Sequence, residues 1–318
     1  MVRVAIAGGT GGLGRAVVEE IVATKKHDVF LISRTEDVKA FKDDPNVKVL
    51  AIDYDSPEAI ASILKSNNID TIISTLGIFK EEHQKAQFNL IDGAVQSGTV
   101  KRFTPSEFGL DYVQNKKDGV GIPSEAMRDL KTGTVEKLEA SPLEYTRFVC
   151  GFFLDYFGYP HYPTYLPYMG IILDIANGVA AIPGDGEVPV TFTLTRDVGK
   201  FVAESLSLES WEPTSIIIGD KVKLNDMLKW AEGATGKKFD VHYDDVAKLK
   251  TYQVTELPSN VPRYAFFPKP MMFGMLAMMG LGMAEGHFDF KGPTLNEKLP
   301  QVKTTKVKDF LEEYWTGK

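Results

Sequence analysis

The chain has one cysteine, Cys150, in 318 residues. No intrachain disulfide can form, and a reducing compartment is the simplest setting. Within the apolar run 148–154 the thiol reads as a small core residue. Basic charge is also in deficit: Asp and Glu outnumber Lys and Arg 43 to 36, a formal net charge of −7. That argues against a protein built to grip a nucleic-acid backbone, which needs a basic face. No apolar run reaches the roughly 18–20 residues that span a bilayer. The longest candidate, Pro270–Ala284, is broken by Gly274, Gly280 and Gly282. There is no leader pattern before the first strand, no internal repeat, no Pro/Ser linker and no evident metal-ligand set. A cytoplasmic monomer or homodimer, without membrane or nucleic-acid partners, is expected. What is present is an ordinary globular composition, 43% apolar and 25% charged, long enough for one large domain or two intimate ones.

The first 150 residues alternate short apolar segments with helical patterns. Strands are predicted at Arg3–Ala7, Asp28–Ser33, Val47–Ile52, Thr71–Thr75, Arg102–Thr104 and Glu144–Val149. Helices are predicted at Leu13–Thr24, Asp37–Phe41, Pro57–Lys65, Glu81–Ser97 and Ser124–Ala140, with Ser56 as an N-cap before Pro57. Strands this apolar, joined by crossover helices, predict a doubly wound α/β fold. Its parallel sheet is covered on both faces, with a ligand crevice at the C-terminal strand ends. After about residue 155 the pattern changes. Residues 156–168 are rich in Tyr and Pro and read as irregular. A turn at Pro183–Gly186, a strand at Val188–Leu194 and a helix from Thr195 follow. Then come a strand at Ser215–Ile218 and helices at Leu224–Thr235 and Val307–Trp315. The expected division is a dinucleotide-binding unit over 1–155 and a smaller substrate lobe over 156–318, some of whose elements return to the main sheet.

The first strand runs into Gly8-Gly9-Thr10-Gly11-Gly12-Leu13-Gly14 and then an amphipathic helix. Glycine lets the backbone turn sharply and approach a pyrophosphate, and the helix N-terminus offers unpaired N–H groups to it. Strand, turn, helix and second strand all fall within about 30 residues, the context that gives the motif its meaning. The second strand ends in Ser33-Arg34-Thr35 rather than an acid. Arg34 can fork onto the 2′-phosphate of NADPH and stack on adenine, so NADPH is favoured over NADH. Asp53 is expected near the adenine amine, and Thr75-Leu76-Gly77 beside the cofactor.

Two candidates for acid/base chemistry stand out. A tyrosine and a lysine four residues apart on a helix form the proton donor of many enzymes of this architecture, and Tyr112 and Lys116 have that spacing. Their neighbours Asn115, Lys117, Asp118 and Gly119 read as a loop, which favours a solvated turn. The alternative is Lys131, on the helix before the sixth strand. A lysine desolvated there titrates closer to neutrality and can act as acid or base.

The string Val100-Lys101-Arg102-Phe103-Thr104-Pro105-Ser106-Glu107-Phe108-Gly109 resembles the fifth-strand signature of the isoflavone reductase and phenylcoumaran benzylic ether reductase group. That group is similar to the NmrA-like, atypical branch of the short-chain dehydrogenases. Further matches run in order to the C-terminus. Lys131 stands seven residues before Leu138-Glu139, with Glu144-Tyr145-Thr146 beyond. Thr195–Val202, His287-Phe288 before Lys291-Gly292, and Leu299–Val307 follow. The resemblance implies an NADPH-dependent reductase of small aromatic compounds, with Lys131 as general acid/base. Ser106, Glu107 and Phe108, with Lys131 and Phe152, are placed among the cofactor contacts. The chain departs from the plant reductases at Val149–Phe153, where they carry Asn, in the loop 111–123 and in the tail 262–286.

Phe152, Phe153, Tyr156 and Tyr159 should follow the sixth strand into the crevice, where aromatic walls suit a flat apolar ligand. The methionines of Pro270–Ala284, Met271 and Met275 among them, suit a tolerant pocket wall or lid, or else a core or dimer-facing helix, or a membrane-touching one. His287 could orient a substrate hydroxyl. Two functions from different classes follow. One is a reductase of an aromatic ketone, enone, imine or benzylic ether. The other is an NmrA-like redox sensor that binds the dinucleotide without catalysis. A quinone reductase lacking a dedicated acid is a third possibility.

Overall fold

A computed structural model describes residues 1–117 and 125–318, the side chains of 125–127 apart. The expected helix start at Ser124, and residues 118–123 of the loop 111–123 with Asp118 and Gly119 among them, lie outside the described residues. The first elements are β1 (Arg3–Ala7), α1 (Gly12–Thr24), β2 (Asp28–Ser33), β3 (Val47–Ala51), α2 (Pro57–Ser66) and β4 (Thr71–Ser74). There follow α3 (Glu81–Ser97), β5 (Arg102–Thr104), α4 (Tyr112–Lys117), α5 (Glu125–Glu139) and β6 (Glu144–Tyr145). The six strands form one sheet in the order β3-β2-β1-β4-β5-β6, and every pairing in it is parallel.

The two-residue period of a strand sends alternate side chains to opposite faces. Val4, Ile6, Val29 and Leu31 join the core beneath α1, whereas Ala5, Ala7, Phe30 and Ile32 join Ile60, Leu64, Leu90 and Ile91 of α2 and α3. Both faces are therefore dry, as parallel sheets require. Local signals set the helix ends. Ser56 Oγ accepts the Ala59 N–H with Pro57 at the first helical position, and α3 stops on Gly98 at φ 68°.

The predicted sixth strand divides. Glu144 and Tyr145 complete the sheet, but β7 (Arg147–Val149) steps away from it, and Gly151, at φ +74°, then turns the chain into an unpredicted strand, β8 (Phe152–Phe153). A Cβ at Gly151 would lie 2.2 Å from the Thr191 carbonyl oxygen, so the turn needs glycine.

The lobe builds on these departing strands. Its elements are β9 (Leu173–Asp174), β10 (Val179–Pro183), β11 (Pro189–Thr193), α6 (Thr195–Ser205), β12 (Thr214–Ile216), β13 (Asp220–Lys223) and α7 (Leu224–Thr235). They continue with β14 (Asp240–Asp244), α8 (Val246–Lys250), α9 (Lys269–Ala284), α10 (Leu295–Lys298) and α11 (Val307–Trp315). β11 pairs in parallel with β8, and β12 with β7. Among the described residues β11 and β12 thus pair with β8 and β7, β13 pairs with β11, and β9, β10 and β14 form a sheet of their own; none pairs with the six-stranded sheet itself. A second core, including Phe157, Phe192, Met227, Phe310 and Trp315, fills this lobe. Helix α6 crosses the division, packing Val198, Phe201 and Val202 on Val17 and Ile21 of α1. Gly199 lies so close that a Cβ there would meet the Ala16 carbonyl oxygen at 2.9 Å.

Three further expectations are corrected. Asp37–Phe41 is not helical: so short a segment cannot nucleate a helix unaided, and Phe41 turns the chain at φ 64°. The segment beginning at Tyr112 is a short helix rather than a loop. Strands β9, β10, β13 and β14 go unpredicted.

Candidate active site

The strand order reverses between β1 and β4, which opens a crevice at their C-terminal ends. The glycine turn lies there. Gly8 takes φ 79° and Gly12 φ 53°. A Cβ on Gly14 would stand 2.3 Å from the Gly8 carbonyl oxygen, and one on Gly8 would stand 2.7 Å from that of Thr75. Those glycines close the turn against β4. At Gly11, by contrast, a Cβ would meet nothing within 4 Å, and no side chain caps the first turn of α1. An open backbone face at an uncapped helix N-terminus fits a pyrophosphate. Thr10 and Gly11 are exposed, and Leu13 lines the neighbouring cavity.

Arg34 is exposed just past β2 and has no ion pair among the described residues. Asp53 lies past β3, where its carboxylate accepts the Asp55 N–H at 2.9 Å and shapes the entry to α2. The Thr75 hydroxyl donates to the Ala7 carbonyl at 2.7 Å, joining β4 to β1. Leu76 and Gly77 continue from it into the cavity wall.

That cavity, of about 410 Å³, is bounded by Thr75, Leu76 and Gly77 on the dinucleotide side and by Ser106, Glu107, Phe108 and Lys131 on another. Ser106 is held on three sides. Its N–H donates to Gln87 Oε1 at 3.0 Å, and its Oγ donates to the Leu76 carbonyl at 2.7 Å. Its own carbonyl accepts the Lys131 amine. Gln87 also donates to Thr134 Oγ1 at 3.2 Å, so α3 ties the Ser106 turn to the helix that carries Lys131. The Lys131 Nζ lies 3.8 Å from Glu107 Oε1, with both side chains largely out of solvent. Burial pulls the lysine below its ordinary value, against the pull of Glu107. Burial pushes Glu107 up to about 7, opposed by Lys131 and Arg147.

The far wall is apolar. Phe152, Phe153, Tyr156, Met275, Met278, Met279 and Phe288 line it. Phe108 stacks on Phe148 behind the site, with ring centroids 5.7 Å apart. Not every expected residue arrives. Met271 is 60% exposed at the start of α9 and does not line the cavity. His287 is buried outside it, its Nε2 3.5 Å from Glu285. Its neighbour Phe288 takes the wall position instead. Tyr159 is exposed and stacks on Tyr168. The Tyr112 and Lys116 pair is split. Tyr112 lines the cavity, its phenol pushed up to about 12 by burial and by Glu107, while Lys116 turns to Glu136 at 2.9 Å.

Chemically, the site offers an anion cradle, a partly desolvated amine and a flat apolar wall around one volume. The model of the NmrA-like family matches residues 2–311. The oxidoreductase swnN of Metarhizium robertsii is 34% identical over all of this chain and 98% of its own length. The oxidoreductase BOA1 of Botryotinia fuckeliana is 43% identical over 75% of this chain and 78% of its own. The solved structure of AtPrR2 with NADP+ and (+)pinoresinol superposes with a TM-score of 0.77 at 20% identity, covering 98% of each chain.

Proposed function

The chain belongs to the NmrA-like family, among oxidoreductases, and on that premise we propose that it reduces a small aromatic compound with NADPH, using Lys131 as general acid/base. The compound is a ketone, enone, imine or benzylic ether. The carrying observation is the position of the Lys131 amine, in a cavity wall that joins the glycine turn to the aromatic face. NADPH is supported by the open face at Gly11 and by the exposed, unpaired Arg34. When bound, it would supply hydride from C4 of its nicotinamide.

The protein's own residues divide the remaining work. The α1 N-terminus holds the pyrophosphate and Arg34 holds the 2′-phosphate. Phe152, Phe153, Tyr156 and Phe288 orient a flat ring and exclude water. Lys131 gives a proton to the substrate atom on which negative charge develops.

The test follows NADPH absorbance with aromatic carbonyl, imine and ether compounds. Lys131→Ala is expected to keep NADPH binding and lose activity by roughly 10²- to 10⁴-fold. No consumption with any compound, or full activity in the variant, would refute the mechanism.

A further inference from the structure

We propose that Glu107 is the proton-holding partner of Lys131, a positioning residue that acts through the amine and recharges it in each turnover; this rests on Lys131 being the acid. The buried acids of this protein provide the contrast. Asp155 accepts from the Thr195 N–H at 2.8 Å, the Thr195 hydroxyl at 2.6 Å and the Thr164 hydroxyl at 3.1 Å. Asp174 and Asp244 likewise accept several donors. Glu107 is as deeply buried, yet neither of its oxygens has a hydrogen-bond partner among the described residues. A carboxylate serving only the fold would be satisfied. This one lines the cavity, 3.8 Å from the Lys131 Nζ, and no hydrogen bond opposes the small rotation that closes the gap.

The other charged or titratable groups around it have partners of their own, although the Arg147 Nε has none among the described residues and the Arg147 charge opposes the rise at Glu107. Arg147, on β7, is paired with Asp111 at 2.8 Å and also donates to Thr214. Tyr112, on α4, is held protonated well above neutrality. Glu107, pushed up to about 7, is partly protonated around neutrality, where an ordinary carboxyl group would be fully ionised.

The transfers balance. As hydride reaches the substrate, the Lys131 ammonium gives a proton to the atom that takes up the charge and becomes a neutral amine. The Glu107 carboxylic acid then passes its proton to that amine, an O–H bond breaking and an N–H bond forming. Water entering the cavity reprotonates the carboxylate. Neither proton step oxidises or reduces anything.

The first test needs no substrate. In cofactor-free protein labelled with ¹³C-lysine, the Lys131 signal is the one missing from Lys131→Ala. Glu107→Gln is expected to lower its titration midpoint by about one pH unit or more; an unmoved midpoint overturns the pairing. In turnover, Glu107→Gln is expected to lose roughly 10- to 100-fold in kcat with KM for NADPH retained. The parent is expected to decline in kcat as pH rises through about 7, and Glu107→Gln to lose that decline. Parental kcat and pH profile in Glu107→Gln, with Lys131→Ala inactive, would reject the relay and leave the reductase reading intact. Activity surviving Lys131→Ala would reject that reading, and the lysine midpoint then decides the pair. Should Glu107→Gln not fold, Glu107→Asp is expected to lower kcat and displace the pH decline, and a parental profile there counts against the relay.

Discussion

Arg34 is expected to choose between the two nicotinamide dinucleotides because no acid among the described residues pairs with its guanidinium. A charge-assisted contact to a phosphate contributes about 1.5–3 kcal/mol, or roughly 10- to 100-fold in Kd. Arg34→Ala should weaken NADPH by that factor in a fluorescence titration and leave NADH unchanged. An equal loss for both would detach Arg34 from the 2′-phosphate. Arg34 and the glycines were singled out because each has a defined place relative to one strand or helix, whereas Lys131 was singled out chiefly by the resemblance of its surrounding segments. Glu107 and Tyr112 acquire their meaning from distant neighbours, Lys131 and the cavity, and no local spacing encodes that. His287 and Phe288 show the same limit: adjacent residues point opposite ways, and only the fold decides which one faces the ligand.

Helices α3 and α5 are tied together around Lys131 by two glutamines of α3. Gln87 fixes the Ser106 turn and Thr134 together, and Gln84 donates to the Leu130 carbonyl at 2.6 Å one residue before Lys131. Gln87→Leu removes both bonds and leaves a buried N–H unsatisfied, at a cost of about 1–3 kcal/mol. The expected outcome is a lower melting temperature with kcat falling more than NADPH affinity, because the Ser106 carbonyl that anchors Lys131 shifts. Unaltered kcat would show that α5 places the lysine alone. At this scale α3, α7 and α11 were legible to the residue, since a long apolar period and a clear stop define them. The strands β9, β10, β13 and β14 were not. They are two to five residues long, and their pairing, not their alternation, makes them strands. The break between β6 and β7 was hidden for a related reason. The segment Glu144–Val149 is extended throughout, with no turn residue at Thr146 to mark where the hydrogen-bonding partner changes.

For the molecule as a whole, a boundary at residue 155 divides neither the strand pairings nor the cores, since β11 and β12 pair with β8 and β7 across it. α6 belongs to the second half in sequence, yet it covers Val17 and Ile21 of α1. A fragment ending at residue 155 would expose that face to water. It is expected to aggregate or lack a cooperative melt, whereas the full chain should unfold in one transition; a fragment that folds and binds NADPH would restore the simple division. The doubly wound plan itself was legible, because apolar strands and crossover helices alternate in order. The path of the later half was not, because nothing local says that α6 returns. The reversal of strand order beside β1 has one more consequence, and it concerns time. The cradle needs Gly8 from one side of the reversal and Thr75 and Ser106 from the other. During refolding, then, NADPH can be gripped only after both wings of the sheet have met. Capture of the dinucleotide would therefore act as a stopwatch for the last long-range step of assembly rather than for collapse.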